Sequence, residues 1–237
     1  MFGKAGHALE PQVNETASPH WIEGLRRQWR PLIIAIIAVY LPAILLLRLL
    51  GAQEAVRPDM LLRDPAAIAD EPFYLGALSN FGLLLWAGSV SICLLTYAVL
   101  VRDGGEREWR LFFLAFAAFT SILMFDDMLM LHESVMPDLF GLPDKFAFGL
   151  YAILALASFV GLRSTIFKTH YLLLLVSLSF FALSILVDIQ DMPAAQTALV
   201  EDGAKLLGIL GWFVYFIWSS AGRLGDITRV KPGKQTR

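Results

Sequence analysis

The feature that most constrains this chain is a block of about twenty apolar residues that recurs six times. The blocks run over residues 32–50, 75–101, 111–133, 146–163, 171–190 and 201–222. Each is close to the length an α-helix needs to cross a hydrocarbon layer about 30 Å thick. No water reaches backbone groups inside such a layer, so each segment must satisfy its own N–H and C=O groups, and a helix does so. Composition agrees, with 57% of the 237 residues hydrophobic and 17% charged, where a soluble domain carries about a quarter charged. The sequence predicts an all-α polytopic membrane protein, a six-transmembrane-helix bundle.

Basic residues set the expected orientation. With the N-terminus in the cytoplasm, 14 of the 19 Lys and Arg residues fall on the cytoplasmic side, leaving 5 outside. Arg26, Arg27, Arg30, Arg102, Arg107 and Arg110 are among the 14. The acids run the other way, 7 inside and 14 outside of 21. Both termini are expected in the cytoplasm, in a bacterial inner (plasma) membrane. Residues 1–20 lack the apolar core and small-residue cleavage site of a signal peptide. The organisation expected is a polar N-terminus over 1–30, a transmembrane domain over 31–222 and a basic tail over 223–237. Trp21, Ile22, Leu25 and Trp29 beside three arginines suit a short helix lying among lipid headgroups. The longest outer loop, Gly51 to Tyr74, carries Pro58, Pro65 and Pro72.

Two function classes drop out. The single cysteine, Cys93, lies inside the second block, so neither a disulfide nor a thiolate metal site can form. There is no basic stripe with interleaved aromatics for nucleic acid.

The third block ends in FDDMLMLHES, where ionisable groups have no place in a plain membrane anchor. On a continuous helix Asp126 and Glu133 share one stripe, about 10 Å apart along the axis. Thr120, Asp127 and Ser134 form a neighbouring stripe, and His132 projects about a third of a turn from Glu133. The fifth block carries Ser177, Ser184, Asp188 and Asp191 on one face. The sixth places Glu201, Lys205, Gly208, Trp212 and Tyr215 on another. All three helices bring these groups to the outer side. A charge at membrane depth costs ~2.5–3.5 kcal/mol on insertion scales, so such groups are expected to face one another and to serve function. Glu201 and Asp202 are read as sitting at a helix N-terminus, which favours negative charge. Glu201 and Lys205 also make a plain i,i+4 ion pair. Asp138, Asp191 and Asp202 read as solvated helix ends.

Carboxylates and imidazole without thiols suit zinc, manganese or iron. The expected metal ligands are Asp126, Asp127, His132, Asp188 and Glu201, with Glu133 as general base and Lys205 stabilising developing negative charge. The spacing D-D-x4-H-E matches no established metal motif such as H-E-x-x-H. H-x3-H pairs and a Gly-x-Ser-Gly segment are absent too. The reading is a metal-assisted membrane hydrolase acting on a lipid or lipid-linked substrate at the outer leaflet. The alternatives are a non-catalytic binding subunit of a membrane complex and a proton or cation transporter. The second of these needs a polar path beyond Thr120 and Ser177, which the cytoplasmic halves lack.

Overall fold

A computed structural model describes residues 29, 32–34, 36–52, 65–72, 74–188 and 194–230, and all regular structure among these is helical. The expected headgroup segment before Trp29, most of the Gly51–Tyr74 loop, Asp191 and the end of the basic tail lie outside the described residues. The chain divides into two units, Met1–Phe73 and Tyr74–Arg237.

The first unit holds an apolar helical stretch, Leu32–Ala52, of 21 residues. Its second half is helix α1, Leu41–Ala52, preceded by a π-helical turn at Ile36–Tyr40. Pro42 has no N–H to donate to the carbonyl four residues back, and the wider turn falls where that bond is missing. A short helix, Pro65–Ala69, follows.

The second unit is built from α2 (Ala77–Arg102), α3 (Arg107–Leu129), α4 (Asp144–Gly161), α5 (Tyr171–Asp188) and α6 (Ala194–Val230). Helices α2 and α3 turn back on each other through Asp103–Glu106. The turn is closed by Gly105 N–H donating to Leu100 C=O at 2.7 Å, with Gly104 at φ 71° where a side chain would be strained. Helix α6 packs against both α2 and α5. Gly82 meets Leu206 and Ile209 while Gly88 meets Phe213, so α2 and α6 run parallel. Gly211 faces Ser177 and Gly208 faces Phe181, so α5 and α6 run antiparallel at close range. Two small residues one turn apart allow that approach, the packing device of membrane helices. The Ser177 hydroxyl uses the closeness to donate to the Gly208 carbonyl at 2.7 Å.

Trp212 sits at the centre of the core, with ring contacts to Trp86, Phe116, Phe119, Phe181 and Phe216. Its indole N–H donates to the buried Thr120 hydroxyl at 3.1 Å. Small polar side chains such as Ser89, Thr96 and Ser177 are fully buried, while Leu84, Leu95 and Leu172 stand exposed. Small polar side chains within a mostly aromatic core, and large apolar ones on the outside, suit a lipid surround. Five helices among the described residues are long and apolar enough to cross a membrane, those of the first, second, third, fifth and sixth sequence blocks. The fourth block forms α4, whose apolar part, Gly149–Gly161, is shorter.

Candidate functional site

The site begins with a break in α3. The helix was expected to run to residue 133 but ends at Leu129, because Met130 takes a left-handed conformation at φ 49°, ψ 46°. The chain then doubles back as a π-helical turn, Leu131–Val135. The stripe joining Asp126 to Glu133 therefore does not exist. In its place the turn lays His132 directly on Asp126. The His132 backbone N–H donates to Oδ1 at 3.0 Å, and its Nδ1 lies 2.7 Å from Oδ2. Tyr151, from α4, completes the set by donating its hydroxyl to Oδ1 at 2.8 Å. Asp126 is buried among these three donors. With the carboxylate ionised and so unable to donate, Nδ1 is the donor in the 2.7 Å contact.

Asp127, one residue on, points about 100° around the helix and meets a different partner. Lys205 of α6 donates to its Oδ1 at 2.5 Å. Asp127 is largely covered, and the Lys205 side chain keeps 39% of its exposure. This pair closes a ladder down α3 and α6. Asp127 meets Lys205, Thr120 meets Trp212, Phe116 meets Phe216 and Trp109 meets Arg223, in steps of 7, 4 and 7 residues along both helices. Arg223 also donates to Glu106 at 3.1 Å at the far end. The two stripes visible in the sequence, Thr120–Asp127 and Lys205–Trp212, are thus the two sides of one antiparallel contact.

Beside Lys205 a cleft of about 520 Å³ opens between the start of α2 and the first turns of α6, lined by Tyr74, Ser79, Gly82, Asp127, Asp202 and Lys205 among others.

The residues expected to form one centre accordingly fall into two pairs. Asp126 and His132 come together, and Asp127 joins Lys205. Asp188 is the exposed last residue of α5 and takes part in neither pair. Glu201 is half-buried one turn before Lys205. It lies seven residues inside a helix that starts at Ala194, too deep for the favourable N-terminal field expected for it. Glu133 lies in the turn, with its side chain outside the described residues. No group of three metal-ligating side chains converges among the described residues. Tyr151 was missed, its only signal being a phenol within an apolar block. The α2 wall of the cleft, with Ser79, was missed as well.

The fold and these pairs define a class: a helical protein with five helices among the described residues able to span a membrane, carrying a buried Asp126–His132 pair and a half-buried Asp127–Lys205 pair in its second unit. Residues 32–219 match the family described as a domain of unknown function, DUF8692, and the chain belongs to that family. No curated protein and no solved structure matches the chain.

Proposed function

We propose that this is an integral membrane hydrolase of a lipid or lipid-linked substrate, working at the end of the bundle where Asp126 and His132 meet. The observation that carries this reading is the Asp126–His132–Tyr151 arrangement. A buried carboxylate with three dedicated donors, one of them an imidazole Nδ1, fixes both the orientation and the tautomer of the ring. That is what a general base requires, with Asp126 compensating the charge as His132 takes a proton from water. It is equally the support given to an imidazole that holds a metal through its other nitrogen. A divalent zinc, manganese or iron ion therefore stays within the proposal, with His132 as its donor and Asp126 as the group that orients the donor. Such an ion would supply acidified water and polarise the scissile carbonyl or phosphoryl group. In either form Lys205, held by Asp127 one residue along α3 from Asp126, is the cation assigned to negative charge that develops on the substrate.

The same proposal includes six spans with both termini in the cytoplasm of a bacterial inner membrane. The excess of Lys and Arg on that side supports it, as does the 18-residue helix α4, about 27 Å long at 1.5 Å per residue. The Asp127–Lys205 pair favours a second reading, a non-catalytic subunit, because a neutralised pair joining α3 to α6 has a structural purpose of its own. Transport is the weakest reading. Thr120 and Ser177 are engaged in helix–helix hydrogen bonds, and the buried hydroxyls further along, Thr96, Thr165, Ser219 and Ser220, are set among packed aromatic rings and carry no ionisable group.

The test is product release from a radiolabelled bacterial lipid extract by purified wild type and His132→Ala, with metal content measured on the same samples. Turnover that falls at least a hundredfold in His132→Ala is the expected result. Equal rates in the two proteins would leave the subunit reading in its place.

A further inference from the structure

The cleft beside Lys205 deepens the lipid reading, and rests on it for the use made of whatever binds there. It lies where two candidate spans begin, at Ala77 of α2 and Leu199 of α6. That is the level at which headgroups meet acyl chains. Tyr74, exposed at the mouth, is the residue type that settles at this boundary. Leu78, Leu206 and Ile209 supply apolar walls, and Leu78 and Leu199 stand largely exposed toward the surrounding lipid. The volume is within the range of small-molecule sites, ~300–1,000 Å³. It holds a headgroup and the first methylenes, with the chains left to run out along the apolar walls.

The charges decide which headgroup. Asp127, Asp202 and Lys205 line the cleft, and with Lys205 already donating to Asp127 at 2.5 Å the three together carry one net negative charge. A purely anionic headgroup would meet Lys205 but also both carboxylates. An uncharged headgroup would cover charged groups and return nothing for their lost water. A headgroup bearing phosphate and ammonium together answers both signs without adding net charge. We propose that this cleft binds a zwitterionic phospholipid carrying an ammonium-ethyl phosphate headgroup, with the phosphate on Lys205, the ammonium at Asp202 and the chains along Leu78 and Leu206.

Native mass spectrometry of the full chain, titrated with dioleoyl lipids, tests this. Phosphatidylethanolamine is expected to bind about tenfold more tightly than phosphatidylglycerol or diacylglycerol, and Lys205→Ala to lose about tenfold. Because Lys205→Ala also breaks the pair with Asp127, a second variant is needed. Gly203 lines the cleft, and a Cβ built there meets nothing within 4 Å. Gly203→Phe therefore has room for its Cβ, places a ring at the cleft lining and improves helix propensity. It should abolish binding with no fall in thermal midpoint. Equal binding of the three lipids, or undiminished binding by Gly203→Phe, overturns the proposal. Free O-phosphoethanolamine should compete only weakly, since it lacks the chains; full displacement by it would overturn the lipid identity. Binding and turnover fail separately. Phosphatidylethanolamine held by wild type but never hydrolysed removes the hydrolase reading and leaves the cleft. Hydrolysis that Gly203→Phe does not slow removes the cleft and leaves the hydrolase.

Discussion

Asp126 and Asp127 are neighbours in sequence and strangers in the fold. A rotation of about 100° per residue sends the first toward His132 and Tyr151 and the second toward Lys205. The unequal support of the two partners of Asp126 makes a stability prediction. Asp126→Ala leaves the Tyr151 hydroxyl and the imidazole without their acceptor and should cost about 3 kcal/mol or more. Tyr151→Phe removes one donor from a carboxylate that keeps two others, and should cost about 1.5 kcal/mol. Thermal unfolding of detergent-solubilised protein ranks the two, and an equal loss would mean that Tyr151, rather than His132, is the principal partner. That the acids needed partners was legible in the sequence from the energetics of buried charge. Which partner each would take was not, because helical spacing fixes direction around one helix and says nothing about which neighbour stands there.

At the scale of elements, the informative failure is the end of α3. Periodicity carries the helix through His132, since LMLHES has no Gly or Pro to stop it. The actual stop is Met130 at φ 49°, a conformation that L-residues other than Asn and Asp rarely adopt. The hydrogen bonds of His132 to Asp126 hold that strained turn in place, a tertiary reason that local propensity cannot reveal. Met130→Gly should relieve it and raise stability by about 0.5–1 kcal/mol with His132 undisturbed. The α5–α6 contact gives the opposite prediction. A Cβ at Gly211 lies 3.0 Å from the Ser177 Cβ and 3.2 Å from its Cα, so backbone as well as side chain must move. Gly211→Leu should therefore cost about 1–3 kcal/mol and weaken the Ser177–Gly208 hydrogen bond. Both variants can be ranked in one series of unfolding curves, and a stable Gly211→Leu would mean that the two helices approach less closely than described. The stripe Lys205–Trp212 was visible beforehand as spacing. Its match to Thr120–Asp127 emerged only once the two helices were seen to run antiparallel.

For the whole molecule, composition and block length were enough to give the all-helical, membrane-compatible class, because the absence of water from a bilayer leaves the backbone so few options. Helix ends were less legible: α6 begins at Ala194 and continues to Val230, well past the apolar block at 201–222. The added turns, AAQTALV before the block and RLGDITRV after it, mix apolar with polar residues, so hydropathy alone does not bound the helix. Orientation is a whole-molecule prediction from the basic residues. Alkaline phosphatase fused after Arg237 should stay inactive while a fusion in the loop near Pro58 is active; the reverse pattern would invert the bundle and put the Asp126–His132 end in the cytoplasm.

The central claim is that Asp126 and His132 act as one unit in hydrolysis, and a double-mutant cycle on turnover tests it most directly. With lipid substrate in nanodiscs, Asp126→Asn and His132→Ala should each slow turnover by about 10²–10⁴-fold. The double variant should then be no slower than His132→Ala alone, because a carboxylate that works only through the ring has nothing left to orient. Losses that multiply in the double variant, or a His132→Ala protein with wild-type turnover, would contradict the account.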